Sequence, residues 1–536
     1  MSEPPAARAD VAVRAPLAGR YDSIVIGAGH NGLVCATYLA RGGRTVLVLE
    51  AAGEVGGASV TREFAPGFQV SACAHLLHLM PAALIEELEL GKFGLALAAQ
   101  RMPTTALVPG SVPLRIDPLD AAALGAHSPA DVAALGGYQD RMGRYARALH
   151  TLLETVPPRL SAASWAERLA FARLAWPLRK LGRARLRELL RIGAMSVWDL
   201  LDETFDSEWL KGALALDAVL GTNFGPRSPG TVFTLLHRMA ASGTGAPTLA
   251  QPAGGLGSLT QSLARAALAA GAAIRTGAEV ERILVRNDRA AGVVLRSGEQ
   301  IAAASVISSA DPKTTFLGLL GSEYLDIGFV RRVTHLRTRG LAAKLHLALA
   351  EQPRFTGLAP EALSGRLLLA PSLEYIERAF NHSKYREFSA APILEITVPT
   401  VNDPTLAPPG KHVLSAVVQY VPYDLAAGAD EDRKALTDAM LRALEASAPG
   451  IAASIEDLEV LTPRDIERQF RVRGGHWHHA ELALDQFLWT RPVAGAAQYR
   501  APVAGLYLCG AGCHPGGGVM GLAGRNAARQ VAREAA

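Results

Sequence analysis

Regular alternation of apolar and polar positions begins at Tyr21. Ser23 to Ile26 reads as a short apolar strand, Gly27-Ala28-Gly29-His30-Asn31-Gly32 as a tight turn, and Asn31 to Arg41 as a helix carrying Leu33, Ala36, Tyr38 and Leu39. Gly42-Gly43 stops that helix, and Thr45 to Leu49 forms a second strand that ends on Glu50. The pattern predicts a βαβ unit with a right-handed crossover. Residues 1–20 show no such periodicity and no apolar core of a secretion signal, so they are read as a disordered tail. Their arginines keep an organelle (mitochondrial) transit peptide as the less favoured reading.

Residues from about 80 to 250 read as mostly helical. From Gln251 the texture changes: a helix over Leu259–Ala270 is stopped by Gly271, then short strands follow around Ala278–Val285, Arg289–Leu295 and Glu299–Ile307. Between about 330 and 490 further strands are predicted at Ala342–Ala348, Ile393–Val398 and His412–Gln419. Thr462-Pro463 starts a helix, with threonine as N-cap and proline in the first turn. Gly505 to Ala536 reads as strand, glycine loop, then helix from Met520 to Arg533.

Composition changes this picture little. A chain of 536 residues is long enough for two or more lobes, and 19% charged with 49% hydrophobic residues is the profile of a globular enzyme. A formal charge of +4 is too small at this size to argue for nucleic acid, so no nucleic-acid partner is expected. Four cysteines (Cys35, Cys73, Cys509, Cys513) make neither a disulfide framework nor repeated metal-ligand spacing, which favours a reducing, cytoplasmic setting. No apolar run is long enough to span a bilayer.

The candidate chemistry starts at the first turn. G-x-G-x-x-G alone is weak, but here it follows a strand, opens a helix, and is followed 18 residues after Gly32 by the acid Glu50 at a strand end. Gly27 makes the turn, Gly29 admits a pyrophosphate, Gly32 lets helix and strand close up, and the helix N-terminus supplies amides and a positive dipole end. Glu50 is placed to accept from ribose hydroxyls. A second glycine pair, Gly56-Gly57 before Ala58, suits a longer ligand such as FAD, as does the glycine loop after Leu506–Cys509. The helix after Met520 would then stabilise charge on the reduced flavin.

These segments together resemble the phytoene desaturase-like (carotenoid/retinoid oxidoreductase) branch of FAD enzymes, from YDSIVIGAGHNGLVCATYLARGGRTVLVLE through GLYLCGAGCHPGGGVMGLAGRNAA. The resemblance implies an α/β chain: a discontinuous Rossmann-type FAD-binding domain (21–80, 251–330 and 491–536) with an inserted α+β substrate domain (81–250 and 331–490). It further implies that Gly27, Ala28, Gly29, Asn31, Gly32, Glu50, Ala51, Gly56, Gly57 and Ala58 meet the ADP half and the path to the flavin. Val280 would meet the adenine, and Gly510, Gly512, Gly517, Val519 and Met520 the flavin end. Ala511 stands where many flavoproteins carry an aspartate, a change this branch shares. No redox cysteine pair follows the first glycine motif, and Gly254, Gly255 and Gly257 follow no convincing strand, so no NAD(P) domain is expected.

Other constellations admit two readings. Cys509 and Cys513 are packing residues, or a redox pair or covalent flavin link. His476, His478 and His479 serve the substrate or flavin face, or are ordinary loop histidines; no acidic or cysteine ligand stands at metal spacing beside them, so no metal is expected. His514, inside the glycine loop, is nominated for acid–base or orienting work, with His476 and His478 as further catalytic candidates. Residues 159–191 carry nine Arg/Lys against Glu167 and Glu188, with Trp165, Phe171, Leu174 and Trp176 interleaved. This is either a peripheral contact with an anionic membrane or a solvated face with arginine stems over apolar surface. The expected activity is hydride transfer between a small apolar, isoprenoid-like substrate and flavin N5, as desaturase, dehydrogenase or isomerase. Oxygen, a quinone or another carrier would be the electron acceptor. The rival is a flavin-retaining, non-catalytic protein that binds a lipid or a partner on the same scaffold. The sequence does not set the oligomeric state.

Overall fold

The computed structural model describes residues 20–108, 110–117, 119–160, 164–243, 248–425 and 429–535. The predicted tail, residues 1–20, lies outside these except for Arg20.

The opening βαβ unit forms as read: strand Tyr21–Ile26, helix His30–Arg41 and strand Val46–Leu49. The two strands pair in parallel from Ser23 opposite Val46 to Ile26 opposite Leu49, and Val46–Leu49 pairs in turn with Ala273–Arg275. On the other side Tyr21–Ile26 pairs in parallel with Gln300–Ser308. That strand has two halves with different partners. Ala302 and the residues before it close an antiparallel meander with Val280–Arg286 and Arg289–Leu295, whereas Val306–Ser308 run parallel to Leu506–Leu508 near the end of the chain. The first sheet is therefore assembled from three distant segments, and its strands Val46–Leu49 and Leu506–Leu508 are apolar and buried throughout.

Helix Leu522–Ala535 covers this sheet beside His30–Arg41. At Gly524 a Cβ would lie 2.2 Å from the Asn31 carbonyl oxygen, so the two helix backbones touch there.

The second sheet has seven strands in the order Ile455–Leu461, Ala342–Leu349, His412–Gln419, Ile393–Thr397, Arg366–Leu369, Thr104–Ala106 and Leu114–Asp117. The last two come from a stretch read as helical. Thr104–Ala106 adds parallel to Arg366–Leu369, with Leu114–Asp117 as the edge strand beyond it, in a sheet that is otherwise antiparallel. Strands of three and four residues leave too little alternation to detect. Leu97–Gln100 in the same stretch is also a strand, paired antiparallel with Ala250–Pro252, and most of the rest is helical, including Pro129–Glu154, Trp165–Lys180, Gly182–Gly193, Glu208–Val219 and Thr231–Ala241. Pro463–Phe470 starts as predicted, with Thr462 and Asp465 closing a capping box.

The contact at Gly524 sets one expectation. Gly524→Ala should overpack the helix pair and lower unfolding free energy by about 1–3 kcal/mol, read as a lower denaturation midpoint with an unchanged denaturant slope.

Candidate active site

A cavity of about 520 Å³ is walled by residues of both sheets. Its first-sheet side begins at the glycine turn. Gly27 has φ +93°, and a Cβ on Gly32 would sit 2.1 Å from the Gly27 carbonyl oxygen, so the helix start is pressed against the turn. A Cβ on Gly29 would meet nothing within 4 Å: the outer edge of the turn is open. The Gly56 N–H donates to the Ala28 carbonyl at 3.0 Å, and Gly29 and Gly56 form a parallel bridge, so the second glycine pair lies along the first. Helix His30–Arg41 starts here with no side-chain cap, which leaves its first amides for a ligand.

Glu50 is fixed by two backbone donors, the Ala28 N–H to Oε2 at 2.7 Å and the Ala52 N–H to Oε1 at 2.9 Å, and still lines the cavity. Its remaining lone pairs can accept from hydroxyls. Gly27, Gly29, Asn31, Ala51, Gly56, Gly57, Ala58 and Val280 share that wall. Among the described residues His30 Nε2, Asn31 Oδ1, His478 Nδ1 and His479 Nδ1, all on residues of this wall, are buried and have no protein partner. Open glycines, a held acid and unpartnered polar atoms together fit an extended dinucleotide.

Other sequence-derived candidates stand behind the wall. Ala28 is spent on Glu50, and Gly32 on the turn. A Cβ at Gly510 would fall 2.4 Å from the Ser309 carbonyl oxygen, at Gly512 2.5 Å from Pro312, and at Gly517 2.3 Å from His478 Cα. These glycines let chain segments pack on one another, while Gly518, Val519 and Ala511 reach the cavity. Met520 is buried beside them without lining it.

His514 does not reach the cavity either. Its Nε2 is bonded to the Leu152 carbonyl at 2.7 Å and its ring packs on Phe487, which makes it a core histidine and removes it as an acid–base candidate. His476 is also off the wall, with Nε2 3.7 Å from Glu481. Of the nominated histidines His478 lines the cavity, and its Nε2 accepts from Trp477 Nε1 at 3.2 Å. The glycines at 254–257 serve packing: Gly254, Leu256 and Gly257 N–H groups donate to Asp403, Ser71 and Thr61. All four cysteines are free and buried.

The second-sheet side holds a group of residues that the sequence pattern did not single out. His75, His78, Leu220, Arg238, Glu395 and Val417 line it. Glu395 Oε1 accepts from His75 Nε2 at 2.9 Å, and Lys344 Nζ donates to His75 Nδ1 and Ser415 Oγ, each at 3.0 Å. Because lysine can only donate, His75 carries its proton on Nε2. Arg366 binds Asp217 through both terminal nitrogens, at 2.7 and 3.0 Å, and Glu395 Oε2 at 3.0 Å; Arg238 pairs with the same two acids. Burial pushes Lys344 down to about 8. Despite burial, His75 and the arginines hold Glu395 well below the ordinary carboxylate range. The available signal was a charge inside each apolar strand: Lys344 in AAKLHLAL, Arg366 in RLLL and Glu395 in ILEIT.

Residues 32–532 match the pattern of the flavin containing amine oxidoreductase family. The chain belongs to that family. It is an FAD-dependent oxidoreductase, and FAD is the cofactor that the glycine turn, Glu50 and the Gly56-Gly57 pair would hold. Pyridine nucleotide-disulfide oxidoreductase domain-containing protein 2 of Mus musculus is 38% identical, over 98% of this chain and 96% of its own. A limonene dehydrogenase component from Castellaniella defragrans is 27% identical over 96% and 94%, and the neurosporene-forming phytoene desaturase of Cereibacter sphaeroides 31% over 51% of each. Putrescine oxidase shares the fold, with a TM-score of 0.61 at 16% identity over 96% of this chain and 99% of its own. Membership of this family does not favour the non-catalytic reading.

Two outcomes follow from this geometry. Glu50→Ala removes an acceptor fixed toward the ligand, and FAD affinity measured by fluorescence titration should fall about tenfold to hundredfold, the worth of a charge-assisted hydrogen bond. The buried histidines set an acid limit. Burial holds His30, His75, His237 and His479 at about 4, and His78 and His514 at about 3, against 6.5 ordinarily. Between these values the unfolded chain binds more protons, so the histidines' contribution to stability is fully present above pH 6.5 and is lost as pH drops toward 4. Urea midpoints should decline across that window.

Proposed function

We propose that this flavoprotein is a dehydrogenase of the phytoene desaturase-like class, acting on a C–H bond of an apolar, isoprenoid-like substrate. The observation that carries the reading is the composition of the wall beyond the glycine turn, where Leu76, Leu79, Leu220, Val417 and Trp477 stand beside the His75–Glu395 group. Such a pocket would gain from burying apolar surface, with the few polar groups fixing orientation. A limonene dehydrogenase component and a phytoene desaturase among the relatives support the same substrate class.

FAD supplies a hydride acceptor when bound, and the protein's part is to bind, orient and keep water out. His75 is held neutral by burial and locked between Lys344 and Glu395, so it offers a fixed dipole rather than a labile proton. His78 and His478 are likewise neutral across the physiological range. Because burial makes His75, His78 and His478 weak bases, the arrangement favours hydride removal from an unactivated carbon chain over chemistry that begins with proton abstraction. Oxygen, a quinone or another carrier would reoxidise the flavin.

Anaerobic titration of the purified holoprotein tests this. The flavin absorbance should bleach with a terpene or polyene donor and stay oxidised with alkylamines of similar size. Bleaching by amines alone would overturn the substrate class, and bands that bleach with neither would overturn the dehydrogenase reading.

A further inference from the structure

Helix Trp165–Lys180 is anchored on one side only. Leu174 is buried, Phe171 stacks on Trp489 with ring centroids 6.0 Å apart, and Trp489 Nε1 donates to the Pro158 carbonyl at 2.7 Å. The opposite side is open. Trp165 is 80% exposed, Leu169 53% and Trp176 57%. Spaced i, i+4 and i+11, these three fall within about 40° of one another on a helix of 3.6 residues per turn. They form a single apolar stripe, and large apolar side chains seldom stand in water in such a row.

Cations flank the stripe. Arg168 and Lys180 lie near the indole rings of Trp165 and Trp176, at 5.9 and 5.6 Å from their centroids, and Arg173 and Arg179 are exposed beside them. The next helix, Gly182–Gly193, continues the charge with exposed Arg183, Arg185 and Arg187, and with Leu190 71% exposed. The two local acids are engaged elsewhere. Glu167 closes the capping box at Ser164, and Glu188 is held by Tyr145 at 2.6 Å and Arg141 at 3.4 Å.

We propose that this face docks on the surface of an anionic lipid bilayer. Indoles and leucines would enter the headgroup boundary, while the flanking cations meet lipid phosphates. Charge complementarity sets the occupant. A second copy would bring a like-charged face, and an anionic polymer such as DNA would use the cations but leave Trp165, Leu169 and Trp176 without an apolar partner. Interfacial aromatics with basic neighbours match a bilayer on both counts.

Co-sedimentation of the full holoprotein with vesicles tests the assignment, using phosphatidylcholine alone or mixed with phosphatidylglycerol. Binding is expected to the mixed vesicles, with a blue shift of tryptophan emission and loss in high salt. The double change Trp165→Ser and Trp176→Ser should weaken it about tenfold or more, and R173E with R179E and K180E should remove the preference for anionic lipid. Flavin absorbance reports that each variant remains folded, independently of any substrate. No binding to mixed vesicles would overturn the proposal. So would binding untouched by the tryptophan changes, or equal affinity for duplex DNA that the tryptophan changes leave intact.

Discussion

Arg491 is fully buried, and its guanidinium donates to six backbone carbonyls: Cys513 through Nε, Glu481 and Gln486 through Nη1, and His478, Ala480 and Ala511 through Nη2. Burial lowers it only to about 10, so it stays charged at neutral pH. One cation thus ties the loop that delivers His478 and His479 to the loop that delivers Ala511 and Gly518. Neither loop has a ladder of its own, and a wall made of irregular backbone needs its carbonyls satisfied from somewhere. Arginine does this because its planar fork presents five donors at fixed angles, which lysine cannot. The glycines of the C-terminal loop complete the arrangement by letting His478, Pro312 and Ser309 come into contact distance.

The cavity divides its labour between backbone and side chains. On the first-sheet side the binding groups are mostly amides, open glycines and one carboxylate fixed by two N–H bonds, a rigid set that suits a ligand of constant shape. On the second-sheet side a leucine-rich wall encloses a buried network of Lys344, His75, Glu395, Arg366, Arg238 and Asp217. Each ion there is met by an opposite charge or a hydrogen bond, as burial demands. Such a network specifies how the strands Ala342–Leu349, Arg366–Leu369 and Ile393–Thr397 face helices Glu208–Val219 and Thr231–Ala241.

How much of this was legible in the sequence depended on the range of the interactions. The βαβ unit, the strands Arg289–Leu295 and His412–Gln419, and the Thr462 cap could be read because periodicity and capping are local. The dinucleotide unit could be read because glycine spacing and an acid at a strand end are fixed by a dinucleotide's geometry, whereas the rest of the fold class was implied by the family resemblance. His514 misled because a histidine in a glycine loop looks the same whether it faces a ligand or the carbonyl of Leu152, 362 residues away. The Lys344–His75–Glu395 chain was invisible for a similar reason: its members are far apart along the polypeptide and meet only across a completed sheet. Charges within otherwise apolar strands were the one trace it left.

The strand Gln300–Ser308 has a consequence for the order in which the protein matures. Its Val306–Ser308 half waits for Leu506–Leu508, so the nucleotide sheet cannot close while the polypeptide is still being made through its middle. Pairing over a separation of about 200 residues is slow, since a long loop must be organised first. Throughout translation of the intervening lobe, one edge of an apolar parallel sheet stays open to neighbours, a state prone to association. A bound FAD, touching the glycine turn of the first segment and Ala511, Gly518 and Val519 of the last, would hold that late closure in place.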